Sequence, residues 1–302
     1  MLVLLLAAGS YFLARYNYPL FHSFADMITV FIAASVFLVV WNGRQRLDNH
    51  YFLFTGIAFL SFAVLDFMHL LGNKDMGVFP GYGNLGPTFY IASRYVLGFS
   101  LLAAPFFVRR KLNVPVAFGA YSAITGLIIA SVLVWENLPV TYVEGTGLTT
   151  FKVASDYVVC AALLGAIGVL LVNRRAFDGR VLRIIVVSLV LSLATGLAFT
   201  LYTDPFGITN LVGHFFQIGS FALIYMAFVE TAMTKPQDIL YHNLKQSDQE
   251  AHRLNAALEK ANDSLNRHIS EQMKAEEALE KTQFVLSEGQ RIAHAGTFEY
   301  IA

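Results

Sequence analysis

Long apolar runs divided by short polar breaks dominate the first 235 residues. Seven of them, at about 19–42, 51–72, 88–108, 115–135, 151–173, 181–203 and 210–233, come close to the roughly 20 residues a helix needs to cross a hydrocarbon core. Residues 1–14 are also apolar but fall short of that length, and no basic stretch precedes them as in a secretory signal. The pattern predicts an all-α integral membrane module of about eight transmembrane helices, counting 1–14 as a weak first span, or seven without it. Beyond Lys235 the periodicity changes. Leu240, Leu244, Ala251, Leu254, Leu258, Ala261 and Leu265 keep mostly three- and four-residue spacing, and Ile269 and Met273 follow four apart. This is a heptad seam with a stutter. About 45 helical residues extend roughly 70 Å, and so narrow a seam needs a partner helix, which predicts a parallel homodimeric coiled coil over 236–283. A single solvated helix laced with Glu and Lys is the alternative. Pro236 should kink or restart the helix where the last span ends.

Composition supports the division. Of 302 residues, 56% are hydrophobic and 14% charged, and the mean hydropathy of +0.55 belongs to a membrane protein. The charges crowd into the segment after residue 235. Zero net charge without a basic stripe excludes nucleic acid as an expected partner and leaves the lipid bilayer. The single cysteine, Cys160, lies in an apolar run and reads as a buried, inert thiol. Arg44 and Arg46, then Arg109, Arg110 and Lys111, then Arg174, Arg175 and Arg180 fall in alternate loops. The positive-inside rule puts those loops, and with them the C-terminal tail, in the cytoplasm. Loops 73–87 and 136–150 then face outward. Trp41 and Trp135 sit at span ends as interface anchors. Ala161, Gly165 and Gly168 offer a small-residue face for helix contact.

Ionisable side chains inside the spans are the candidate chemistry, because each costs several kcal/mol at membrane depth unless it finds a partner. Asp66 and His69 are three residues apart, hence on nearly the same helical face. His22 and Asp26, four apart, repeat the pairing in reverse order. Arg94 lies about six residues into the fourth run, with Tyr90 one turn before it, and His214 enters the last run with Gln217 and Tyr225 on its stripe. Four helices thus bring polar residues to one slab within roughly 10 Å of the outer boundary. We take His22, Asp26, Asp66, His69, Arg94 and His214 as candidate ligand-binding residues, with Tyr90, Gln217 and Tyr225 behind them. Two carboxylates against one Arg leave about one negative charge, which a protonated histidine or a bound cation could neutralise. His22, His69 and His214 are a candidate set for a transition metal, and paired histidines could also hold haem. The competing expectation is that the Asp–His couples pin neighbouring helices and that His22 is an interfacial residue. Asp156 has Lys152 one turn before it and reads as a structural pair. Glu230 reads as a boundary residue or a coupling element. For catalysis the chain offers no nucleophile elbow, phosphate loop or zincin motif.

Four stretches together resemble a known family: Phe21-His22 with Asp26; Leu65-Asp66-Phe67-Met68-His69 followed by Gly77-Val78-Phe79; Ile91-Ala92-Ser93-Arg94-Tyr95; and His214 with Gln217. Over residues 1–235 they are similar to the MASE3 domain, a bacterial membrane-associated sensor module, departing from its pattern at Asp26, where Glu is expected, and in the short first span. Glu276-Glu277-Ala278-Leu279, followed by Leu286 through Ile301 with Ala293-His294-Ala295-Gly296-Thr297-Phe298-Glu299, resembles the linker and opening strand of a PAS domain. The resemblances imply a sensor domain over 1–235, a signalling linker over 236–283 and the truncated start of a PAS domain over 284–302. They imply the input module of an inner-membrane receptor, of the two-component or cyclic-dinucleotide class, with a histidine kinase or diguanylate cyclase output further on. A proton- or metal-linked transporter is a weaker reading, since the inner halves of the runs are almost wholly apolar. A purely structural dimerising anchor is the third.

Overall fold

The computed structural model describes residues 2–47, 49–79, 84–143, 145–201 and 207–299. Residues 80–83, the end of the expected run at 202–203, and 300–302 at the close of the PAS-like stretch lie outside the described residues. Helix starts follow local chemistry. Asn17 accepts from Leu20 N (3.0 Å) at the head of α2 (Tyr18–Gly43), with Pro19 in its first turn. Asn49 does the same for α3 (His50–Leu71), Asn113 for α5 (Val114–Leu133), Thr149 for α6 (Thr150–Val172) and Asp178 for α7 (Gly179–Thr200). Each cap satisfies backbone donors that the helix itself leaves open. The remaining helices are α1 (Leu2–Tyr16), α4 (Leu85–Ala103, prolonged by a 3-10 turn Ala104–Phe107) and α8 (Ile208–Val229).

Seven helices are long and apolar enough to cross a membrane among the described residues, and their bounds differ from the sequence expectation by at most a few residues. The first run does not supply an eighth: α1 is a helix of 15 residues, too short at 1.5 Å per residue to cross roughly 30 Å. α3 packs against α2, α4 and α5; α4 packs on α6, α6 on α7, α7 on α8, and α8 returns to α2. Every span except α5 thus belongs to one closed cycle of neighbours. Within its apolar stretch 78% of the residues of α3 are buried, whereas for α5, outside the cycle, the share is 11% and Val116, Ile124 and Leu127 are exposed, as on a lipid-facing helix. An aromatic seam of Phe52, Phe59 and Phe62 on α3 against Phe221 and Phe228 on α8 fills the middle.

Between α5 and α6 the chain forms a hairpin of β1 (Tyr142–Val143) and β2 (Gly147–Leu148). Asn84 fastens it: its Oδ1 accepts from Thr141 N, Thr141 Oγ1 and Tyr142 N at 2.9–3.1 Å. Below α8, a π-helical turn covers Glu230–Thr234 before α9 (Lys235–Glu299) begins. Pro236 cannot donate to the carbonyl four residues back, and a change of hydrogen-bond register just before it removes that conflict. Arg180 Nε stands 3.5 Å from Glu230 Oε2 at this turn.

The chain divides into two units, Met1–Gln237 and Asp238–Ala302. In the second, Leu244, Leu254, Leu258, Leu265, Ile269 and Met273 are all exposed along α9. The helix continues through Glu299, where the PAS resemblance implies an opening strand. A strand needs a neighbour for its ladder, and among the described residues none pairs with this segment.

Where α3 ends and α4 begins, two glycines let the backbones touch. Gly86 N donates to Gly72 O at 3.1 Å, and a Cβ on Gly72 would stand 2.9 Å from Gly86 N. Gly72→Ala should therefore cost about 1–3 kcal/mol through overpacking, read as a lowered unfolding midpoint of the detergent-solubilised protein.

Candidate functional site

Asp26 on α2 is 2% exposed and is approached by imidazoles from three helices. His22 Nδ1, one turn earlier on α2, lies 3.2 Å from its Oδ2. His69 Nε2, from α3, lies 3.2 Å from the same oxygen. His214 Nδ1, from α8, lies 3.6 Å from Oδ1. The rings meet edge to face, with centroids of His22 and His214 4.7 Å apart and those of His22 and His69 5.9 Å apart. Phe21 and Phe199 pack on His214, and Tyr90 packs on His69. This packing leaves no slot between the rings for a macrocycle among the described residues, so haem does not fit.

The tautomer of His69 follows from its other nitrogen. Nδ1 stands 2.7 Å from the Gly86 carbonyl, which can only accept, so Nδ1 carries a proton. In the neutral ring Nε2 then turns a lone pair toward a carboxylate. Among the described residues no hydrogen bond of good geometry reaches Asp26 Oδ2, and neither ring nitrogen of His214 makes one although the residue is 3% exposed. The Asn73 amide nitrogen lies 3.2 Å from His22 Nδ1.

Asp66, fully buried, is provided for differently. Ser93 Oγ donates to its Oδ1 at 3.0 Å, Arg94 Nη2 stands 3.5 Å from the same oxygen, and Thr29 Oγ1 stands 3.4 Å from Oδ2. Thr29 also donates to the Asp26 carbonyl (2.8 Å) and receives the Gln217 amide (3.2 Å). Arg94 rests its guanidinium over the rings of Phe62, Tyr90 and Phe221 at 4.7–5.9 Å, which recovers part of its lost hydration. The six candidate residues therefore fall into two linked groups: Asp66 with Arg94, and Asp26 with His22, His69 and His214.

Tyr90 and Gln217 line this region as expected. Tyr225 does not: it lies eight residues beyond Gln217, about 12 Å along α8, packed half-buried against the apolar core. Periodicity fixes a face and not a depth. Sequence reasoning missed Thr29, Ser93, Asn73 and the Gly86 carbonyl. Thr29 lay within reach, being three residues after Asp26 on the same face; a backbone carbonyl from another helix gives no signal in sequence. Lys152 and Asp156 form the expected pair on α6, with Lys152 also donating to the Phe199 carbonyl and Thr200 Oγ1 donating to Asp156 Oδ2 at 3.1 Å. Between α4, α6, α7 and α8 a cavity carries polar groups from Tyr90, Arg94, Asp156, Ser192 and Gln217.

His22, Asp26 and His69 can together hold a metal ion, since one donor atom from each lies within 4.8 Å of the other two. Residues 13–236 match the family model MASE3, described as a membrane-associated sensor domain. No curated protein and no solved structure is significantly similar to the chain.

Removing Arg94 leaves Asp66 buried without its cation. Arg94→Ala should destabilise the bundle by about 3–5 kcal/mol, and Asp66→Asn combined with Arg94→Gln should recover much of the loss. Thermal unfolding of the single and double variants checks both.

Proposed function

This chain belongs to the MASE3 family of membrane-associated sensor domains, and on that premise we propose that it is the input module of a bacterial inner-membrane signalling receptor. The carrying observation is the convergence of three helices on Asp26, a buried carboxylate supplied with imidazoles instead of a permanent cation. A small ligand or cation taken up there changes what ties α8 to α2 and α3. Such uptake drives signalling to the extent that two helix packings bind it with different affinity. The last span then passes the difference through the π-helical turn to α9, whose exposed leucines form a parallel homodimer. The output is a histidine kinase or cyclic-dinucleotide enzyme. Basic residues in alternate loops support a cytoplasmic α9 and an outward-facing cluster.

Cysteine crosslinking in native membranes tests this. In a Cys160→Ser background, Leu258→Cys should form a disulfide-linked dimer under mild oxidation, and a membrane-impermeant thiol reagent should label it only after the cells are opened. Asp26→Ala, His69→Ala or His214→Ala should change the crosslinking rate several-fold. Unaltered rates in all three inserted, folded variants would overturn the sensory role of the cluster. Failure of Leu254, Leu258 and Leu265 cysteines alike to crosslink would overturn the dimeric linker.

A further inference from the structure

We infer that Asp26, His22 and His69, with His214 beside them, form a binding site for a single divalent transition-metal ion, with zinc(II) the ion that their donor set and spacing suit. The inference deepens the sensory reading and rests on it for any signalling consequence, though not for binding itself.

Charge places the ion. Asp66 has Arg94 and Asp156 has Lys152, so among the described residues of this slab the carboxylate without a permanent cation is Asp26. A cation belongs on that carboxylate, since an ion buried without a counter-charge is costly. Donor chemistry selects the kind of cation. Imidazoles with one carboxylate suit zinc, copper or nickel, whereas magnesium and calcium take oxygen ligands.

Spacing narrows the choice further. Zinc bonds to nitrogen and oxygen of about 2.0–2.1 Å at tetrahedral angles set the ligands roughly 3.3–3.4 Å apart. The His22 Nδ1 and His69 Nε2 contacts to Asp26 Oδ2 are both 3.2 Å, close to such an edge, and coordination through His22 Nδ1 exchanges its contact with the Asn73 amide nitrogen for the ion. His214 stands beside this trio: it is buried, neither of its ring nitrogens makes a hydrogen bond among the described residues, and Nδ1 is 3.6 Å from Oδ1, the other carboxylate oxygen, so a shift of its ring would bring it to the fourth position.

His69 is already arranged as a ligand. Its Nδ1–H donates to the Gly86 carbonyl, the outer contact that metal-bound histidines usually make and that leaves the other nitrogen free to coordinate. The close approach of Gly72 and Gly86 holds that carbonyl in place. Three converging donors hold the ion, and His214 drawn in as a fourth would close the site.

The full chain, purified in detergent without chelators, should carry close to one equivalent of zinc by elemental analysis. After stripping, cobalt(II) should restore one equivalent with the intense visible absorption of a tetrahedral site. Asp26→Asn and His69→Gln should each abolish stoichiometric binding, and His214→Ala should weaken it at least tenfold and reduce the cobalt absorption. His252→Ala, on exposed α9, should leave the metal content unchanged. Size-exclusion and circular dichroism profiles identify variants that retain the fold. Folded wild-type protein that neither carries zinc nor binds zinc or cobalt overturns the assignment, with Asp26 then paired to an imidazolium. The sensory reading survives that result if Asp26→Ala still alters crosslinking on α9. Stoichiometric metal whose removal leaves crosslinking unchanged upholds the site and overturns the sensory reading.

Discussion

Charge neutrality at membrane depth governs this bundle. A carboxylate inside a low-dielectric slab must meet a positive charge or lose its own, and three buried aspartates among the described residues meet that demand by different means. Asp156 takes Lys152 from its own helix, a local solution available as soon as α6 forms. Asp66 takes Arg94 from α4 and hydroxyls from two helices, a tertiary solution that locks α2, α3 and α4 together. Asp26 takes groups whose charge is adjustable. Two of the arrangements carry a permanent cation, and the third is built from imidazoles.

Much of this was legible in the chain because membrane solvent leaves few choices. Every backbone group must be satisfied within the segment, so apolar length alone implies a spanning helix, and the seven spans lie close to where hydropathy puts them. The limits of the method show at the ends. The first fourteen residues are apolar enough for a span but too few, and α1 follows their number more than their composition. Over 284–299 the resemblance implies an opening strand, whereas α9 runs as a helix through Glu299.

The candidate site was legible in kind but not in connectivity. Polar residues at matching depth on separate helices marked His22, Asp26, Asp66, His69, Arg94 and His214, and each contributes to the buried network. Sequence could not say which carboxylate Arg94 serves, because that depends on how α3 and α4 are rotated about their axes. Once Arg94 goes to Asp66, the surplus negative charge is localised on Asp26, and the histidines cease to be interchangeable polar residues. Nor could sequence reveal the Gly86 carbonyl, which orients His69 through an atom that every residue possesses.

Asn84 stands where a cap for α4 is expected, yet its carboxamide oxygen goes to the backbone of Thr141 and Tyr142 at the start of the hairpin. Two residues later in the same first turn comes Gly86, whose carbonyl holds the His69 ring. The hairpin and the imidazole are therefore anchored two residues apart, one on the Asn84 side chain and the other on the Gly86 carbonyl. The hairpin between α5 and α6 and a buried histidine thus share a single anchoring turn of helix.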